Sequence, residues 1–308
     1  MHASGSGDLS RYEILDRHAV GGVAELYRAR DKRTGRVIIL KRMRPDLDFD
    51  PAVSAGFFRE IQLAMDSGHK NLIRGLDRGT HNGLDWVALE FVDGHDLERV
   101  LEREKGHGEP LSFELSLFIA REILDGLAFA HQLKDPLGQP MGLVHRDLNP
   151  RNILVGYDGG VYVADFGASI ATLSEPDPEE VVGSVGYLSP EQARLKPLDP
   201  RSDVFAVGCI LYELVMKEPA FEREGKSDAQ LLKQHQRGQI RRIPSQLPEP
   251  IRLVLEIACA PDREDRYVDA LTMLRAIDDI LASRPLGELK ARLGATLRAY
   301  FASLLAGV

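Results

Sequence analysis

Cysteine is almost missing from this chain: Cys209 and Cys259 are the only two in 308 residues, each inside an apolar run. That scarcity excludes a disulfide-stapled secreted framework, and no Cys/His grouping has zinc-site spacing. Two buried thiols in a reducing compartment are expected, hence a cytoplasmic protein. Long hydrophobic runs are missing too. The longest, Val204 to Val215, is bounded by Asp203 and Lys217 and is too short to cross a bilayer, so it reads as a buried helix and no membrane span is expected. Positive charge is not in excess: 39 Lys+Arg against 47 Asp+Glu give a formal net charge of -8, which argues against a nucleic-acid partner. There is no internal repeat. The start, His2 to Leu9, is short, polar and Gly/Ser-rich, and residues 1–11 read as a flexible tail or cloning scar rather than a signal peptide.

What is present is the composition of a soluble globular protein, 44% apolar and 28% charged, long enough for one large two-lobed domain or two ordinary ones. From Tyr12 to Val92 the pattern is strand-rich. Tyr12 to Leu15, Ala24 to Ala29, Val37 to Arg42, Leu72 to Gly79 and Trp86 to Phe91 read as strands, with Asn82-Gly83 a strong hairpin signal. Phe57, Phe58, Ile61 and Ala64 recur at helical spacing within Pro51 to Ser67. From Leu97 the chain is mainly helical. Helices are expected over Leu111 to Gln132, Pro190 to Leu195, Ser202 to Met216, Asp228 to Arg237, Glu249 to Cys259 and Tyr267 to Ser283.

The chemistry concentrates in His145-Arg146-Asp147-Leu148-Asn149-Pro150-Arg151-Asn152 and, one short hairpin later, Asp165-Phe166-Gly167. Two acidic groups and an amide on loops beside an apolar strand pair can hold divalent cations and accept a proton from a hydroxyl. That equipment suits phosphoryl transfer, where the protein's task is positioning and charge neutralisation. Upstream, Lys41 ends the apolar strand Val37-Ile38-Ile39-Leu40, and Glu60 on the following helix is placed to pair with it. Downstream come Gly183-Ser184, Gly186-Tyr187 and Ser189-Pro190-Glu191.

Taken in order, these motifs resemble bacterial eukaryotic-type (Hanks-type) Ser/Thr protein kinases over roughly Tyr12 to Ser283. The resemblance implies an α+β, bilobal protein kinase-like fold. A small β-rich N-lobe would span residues 12–92 and a larger helical C-lobe residues 93–284, with ligand in the cleft. It implies ATP and Mg²⁺ as cofactors and a protein substrate. Asp147 would orient the substrate hydroxyl, Asn152 and Asp165 would hold metal, and Lys41, held by Glu60, would align the α- and β-phosphates. Val20, Gly21, Gly22 and Leu26 would cover the nucleotide. Ile39, Leu89, Glu90, Val92 and Leu154 would line or edge the base. Glu191 should pair with Arg266, and Asp203 should accept hydrogen bonds from the catalytic-loop backbone.

Departures from the family pattern sustain a second expectation, a pseudokinase acting as a nucleotide-sensing or partner-binding scaffold. Ala19 and Ala24 stand where the first and third loop glycines would be. Ile39 replaces an alanine, adding bulk beside the adenine at an overpacking cost of about 1–3 kcal/mol. Asn149 replaces the lysine that contacts the transferred phosphate in Ser/Thr kinases. In the loop after Gly167, either Thr172 or Ser174 is phosphorylated to engage Arg146, the acidic run Glu175 to Glu180 supplies that charge, or the loop is simply solvated. After Pro285, Leu286, Leu289, Leu293, Leu297, Phe301 and Leu304 form an amphipathic stripe over residues 285–308. It is expected to pack on the helical lobe or to mediate self-association.

Overall fold

The computed structural model describes residues 7–21, 23–47, 51–66, 68–107, 109–134, 137–166 and 186–305. It divides into two units, the first comprising residues 1–92 with Asp165–Glu175 and the second Asp93–Ala164 with Pro176–Val308.

In the first unit, β1 (Tyr12–Val20), β2 (Ala24–Asp31), β3 (Val37–Met43), β4 (Gly75–His81) and β5 (Leu84–Glu90) form an antiparallel sheet in the order β1-β2-β3-β5-β4, and α1 (Pro51–Asp66) packs on it. The two-residue period of β3 sorts its side chains. Ile38 and Leu40 join Tyr12, Ala29, Trp86 and Ala88 on one face. Met43 joins Ala24, Phe57, Ile61 and Val87 on the other, where α1 lies. Lys41 therefore shares the helix-covered face with Ile39. At the β4–β5 hairpin, Asn82 and Gly83 both take positive φ, 52° and 84°, as a two-residue turn between paired His81 and Leu84 requires. Residues 7–11, read as tail from their composition, are instead tied to the sheet. Arg11 pairs with Asp31 and Asp77 at 2.6 and 3.2 Å, Gly7 donates to the Arg78 carbonyl, and Leu9 packs on the Tyr12 cluster.

The second unit begins with β6 (Gly94–Asp96), α2 (Leu97–His107) and α3 (Phe113–His131). β7 (Ile153–Gly156) and β8 (Val161–Val163) complete a small sheet in the order β6-β7-β8. Then follow α4 (Pro190–Ala193), α5 (Arg201–Met216), α6 (Asp228–Arg237), α7 (Glu249–Ala258), α8 (Ala270–Leu281), α9 (Leu286–Tyr300) and α10 (Ala302–Leu305). Ser112 caps α3, whose apolar faces are covered by α5, α8 and α9. The apolar run of α5 is buried on nearly all sides, and among the described residues no helix is long and apolar enough to cross a membrane. The C-terminal stripe belongs to this unit and is not separate from it. Leu289, Leu293, Leu297, Tyr300 and Phe301 are buried, with α9 packed on α2 and α3, whereas Leu286 and Leu304 are exposed. The apolar side chains expected to serve self-association are thus mostly covered within the chain.

Arg266 and Glu191 meet as the family resemblance implied, through two hydrogen bonds of 2.7 and 2.9 Å. The guanidinium is fully enclosed, lies 4.8 Å over the Phe205 ring, and also donates to the carbonyls of Ala260, Arg201 and Pro261. Burial pushes the Glu191 carboxyl up, but Arg266 and the Ser202 hydroxyl outweigh it and hold it below the ordinary glutamate value. A depressed folded-state value contributes stability at neutral pH that disappears as pH falls through the carboxylate range. Arg266→Ala strands a buried carboxylate, so about 3–5 kcal/mol should be lost at pH 7. In that variant protonation relieves the stranded charge, so thermal melts at pH 7 and pH 4.5 should show the deficit narrowing in acid. A deficit that is constant with pH would show that packing, not the ion pair, carries the effect.

Candidate active site

In the first unit the chemistry gathers on Lys41. Its strand position turns the side chain toward α1, where Glu60 lies about one turn after the core residue Phe57 and next to Ile61. The ammonium donates to Glu60 Oε1 at 2.5 Å and to Asp165 Oδ1 at 2.9 Å, and it stands 5.9 Å over the Phe57 ring. Lys41 and Glu60 are both buried, while the Asp165 side chain is half exposed. Burial pushes the Lys41 ammonium toward its neutral form, but two facing carboxylates outweigh it and raise its pKa above the ordinary lysine value. Burial likewise pushes the Glu60 carboxyl up, to about 7, against the pull of Lys41 and with help from the like charge of Asp165. Asp165 has φ 62°, a left-handed conformation uncommon for a residue with a side chain and typical of functional sites.

Around this centre, Ile39 is half-buried and sits in register with Leu89 on β5 and Arg28 on β2. Leu26 pairs with both Lys41 and Ala19. Val20 is exposed at the end of β1, and the Gly21 amide donates to the Ala24 carbonyl at 2.8 Å, closing the turn. Gly22 lies outside the described residues. The Glu90 amide donates to the Arg74 carbonyl and its carboxylate accepts from the Arg74 amide, so this side chain has a local structural role. Val92 is half-buried at the end of the unit.

In the second unit the loop from His145 to Asn152 is held from beneath. Asp203, at the start of α5, accepts from the amides of His145 and Arg146 at 2.8 and 3.1 Å and from His131 Nε2 at 2.8 Å. His145 is buried and its Nε2 reaches the Ala164 carbonyl, the residue before Asp165. Arg146 has φ 68°, and its carbonyl accepts from Gln192 at 2.6 Å. Burial pushes the Arg146 guanidinium down in pKa, and its Nε and Nη1 have no hydrogen-bond partner among the described residues. Gly167, Thr172, Ser174, the acidic run, Gly183 and Ser184 lie outside the described residues.

The Asp147 carboxylate is clamped by two amides. Asn149 Nδ2 donates to Oδ1 at 3.1 Å and Asn152 Nδ2 to Oδ2 at 3.2 Å, and both also donate to the Asp147 carbonyl. Asn149 is buried, and its Oδ1 accepts from the Arg151 amide, capping the short turn Pro150–Asn152. Asn149 thus faces Asp147 and the turn, an orienting position rather than that of a cation reaching for phosphate. Leu154, on β7, is half-buried opposite Asp96 and Tyr162.

A carboxylate fixed in this way can orient a hydroxyl and take its proton. Asp165 and Asn152 offer hard oxygen donors. Among the described residues no group of three or more His, Cys, Asp or Glu could enclose a metal. Asp165 belongs to the first unit and Asn152 to the second, and each offers an oxygen of the hard kind that magnesium prefers. His131 and Gln192, which hold this loop, carry no mark in the sequence. Each is a single polar residue on a helix, and nothing in the local pattern marks its distant partner.

Residues 12–278 match the family model described as protein kinase domain. The chain is 33% identical over 302 residues to the tyrosine-protein kinase MasK of Myxococcus xanthus, covering 94% of this chain and 46% of that protein. It is 33% identical over 293 residues to a probable serine/threonine-protein kinase of Streptomyces coelicolor, covering 91% and 41%. With the serine/threonine-protein kinase PknB of Mycobacterium leprae the identity is 34% over 286 residues, 89% and 44%. The chain therefore spans less than half the length of these relatives.

Proposed function

The chain belongs to the protein kinase family, and from that premise we propose that it transfers the γ-phosphoryl group of ATP to serine or threonine hydroxyls of protein substrates in bacterial signalling. The observation that carries the reading is Lys41, a buried ammonium fixed between Glu60 and Asp165. A lysine held charged by a helical carboxylate has little structural purpose at a strand end but is what triphosphate alignment needs. Val20, Gly21, Gly22, Leu26, Ile39, Leu89, Glu90, Val92 and Leu154 would surround the nucleotide. Asn152 and Asp165 would hold Mg²⁺, which when bound neutralises charge on the phosphate oxygens. Asp147 orients the incoming hydroxyl and receives its proton, and Asn149 acts as a positioning residue through its bond to that carboxylate. The two thiols are buried and unbridged, in keeping with a reducing cytoplasm.

The test is transfer of labelled phosphate from ATP, with magnesium, to a generic protein substrate, followed by acid hydrolysis and separation of phosphoamino acids. Phosphoserine or phosphothreonine is expected. Phosphotyrosine alone would correct the acceptor, a live question because one relative is named a tyrosine kinase. Nucleotide binding with no transfer would favour the scaffold reading that Ala19, Ala24 and Ile39 suggest.

A further inference from the structure

The C-terminal helix does more than cover apolar surface. Phe301, fully buried at the end of α9, stacks on the His95 ring with centroids 3.8 Å apart and planes inclined by 28°. His95 lies on β6, and its Nε2 is 2.8 Å from the Tyr157 hydroxyl. Tyr157 in turn stands edge-on to Phe301 at 6.5 Å. Tyr157 opens the β7–β8 turn, and that turn is clasped by α9. Arg298 donates to the Tyr157 carbonyl, and Lys290 pairs with Asp158 at 3.0 Å. Gly294 and Gly159 allow the close approach. A Cβ on Gly159, whose φ is 81°, would lie 1.9 Å from the Lys290 carbonyl oxygen, and one on Gly294 would lie 2.6 Å from that of Tyr157.

These contacts converge on one strand pair. His95 is directly opposite Val155, and Asp96 is opposite Leu154. Directly opposed residues share a face, so His95 and Val155 lie on one side of the ladder and Leu154 on the other. The helix therefore braces the back of the strand that carries Leu154, the residue proposed above to touch the nucleotide base. Burial lowers the His95 pKa, so the ring is neutral at physiological pH and suited to stack on Phe301.

We infer that Phe301 and His95 are positioning residues through which the C-terminal helix fixes the β6–β7 ladder and thereby sets nucleotide affinity. The nucleotide half of this inference rests on the kinase reading; the mechanical half does not. The experiment uses the full chain with Phe301→Leu, which keeps most of the apolar volume but removes the stack, and with His95→Phe, which keeps a stack but removes the bond to Tyr157. Amide hydrogen exchange is followed alongside steady-state kinetics in ATP. In Phe301→Leu, amides of residues 94–96 and 153–156 should exchange about three- to tenfold faster, the range an aromatic pair contributes, while those of α5 and α7 stay at the parent rate. KM for ATP should rise by a similar factor with kcat within about twofold, the signature of lost ground-state binding. His95→Phe should restore much of the protection relative to His95→Ala.

Exchange in the ladder that does not change overturns the inference. So does acceleration spread equally over α5 and α7, which would make the helix a general stabiliser. Faster ladder exchange with an unchanged KM overturns the nucleotide half. A parent chain that binds no ATP sinks the kinase reading, and ladder exchange then decides the mechanical half by itself.

Discussion

Asp147→Ala should lower phosphoryl transfer by about 10³-fold, within the range a positioned general base contributes, while the affinity for ATP stays within about twofold. The expectation follows from where the side chain is held. Asn149 and Asn152 fix one carboxylate oxygen each, so the group is oriented before any substrate arrives. Lys41, with Glu60 and Asp165, belongs to the other unit and is untouched by the change. Asp147→Asn serves as companion, because it keeps the size and hydrogen-bonding shape of the side chain while removing the basic oxygen. If orientation and proton acceptance both matter, the asparagine variant should fall nearly as far as the alanine one. Single-turnover transfer of labelled phosphate, with affinity read from a fluorescent ATP analogue, separates chemistry from binding. Transfer at more than a tenth of the parent rate in both variants would mean that this carboxylate is not the catalytic group.

The parts of the fold and site that showed in the sequence are those with a period or an ordered motif. The alternation of β3 put Ile38 and Leu40 on one face and Lys41 on the other, and the helical spacing of Phe57, Ile61 and Ala64 marks α1, the helix that carries Glu60. Glu191 and Arg266 lie 75 residues apart, and no local pattern connects them; the family resemblance alone made the pair visible. What stayed hidden was set by tertiary partners. Gly94-His95-Asp96 is a polar tripeptide with no strand period, and it becomes β6 because β7 supplies the ladder. The segment through residue 11 has tail-like composition, yet Arg11 finds two carboxylates brought together by the sheet. Asn149 stands where the resemblance puts a phosphate-contacting lysine, and its side chain instead caps the turn after it and donates to Asp147. The stripe in the last helix was plain, but its partner was not, because periodicity shows that a face will be covered and says nothing about what covers it.

Ending the chain at Arg284 should therefore abolish the folded state of the second unit rather than trim an appendage. The deletion removes Leu289, Leu293, Leu297, Tyr300 and Phe301, each at most 4% exposed, and uncovers the faces of α2 and α3 beneath them. At roughly 1.5–3 kcal/mol for each large buried side chain, the loss is about 8–15 kcal/mol as an upper bound, comparable to the whole stability of a typical domain. Polar ties go with them: Arg292 pairs with Glu114 near the start of α3, and the Tyr300 hydroxyl donates to the Glu109 carbonyl at 2.6 Å. The shortened chain should lose its near-ultraviolet circular dichroism, elute as aggregate and be cut rapidly by protease at sites within α2 and α3. A milder variant tests the same argument without collapse. Leu293→Ala, at a fully buried position in the middle of α9, should cost about 2–5 kcal/mol and lower the melting temperature in proportion. A truncated chain that keeps the parent's oligomeric state and melts at the parent temperature would mean that α9 rests on a surface already stable without it, and the bracing of β6 and β7 would lose its foundation as well.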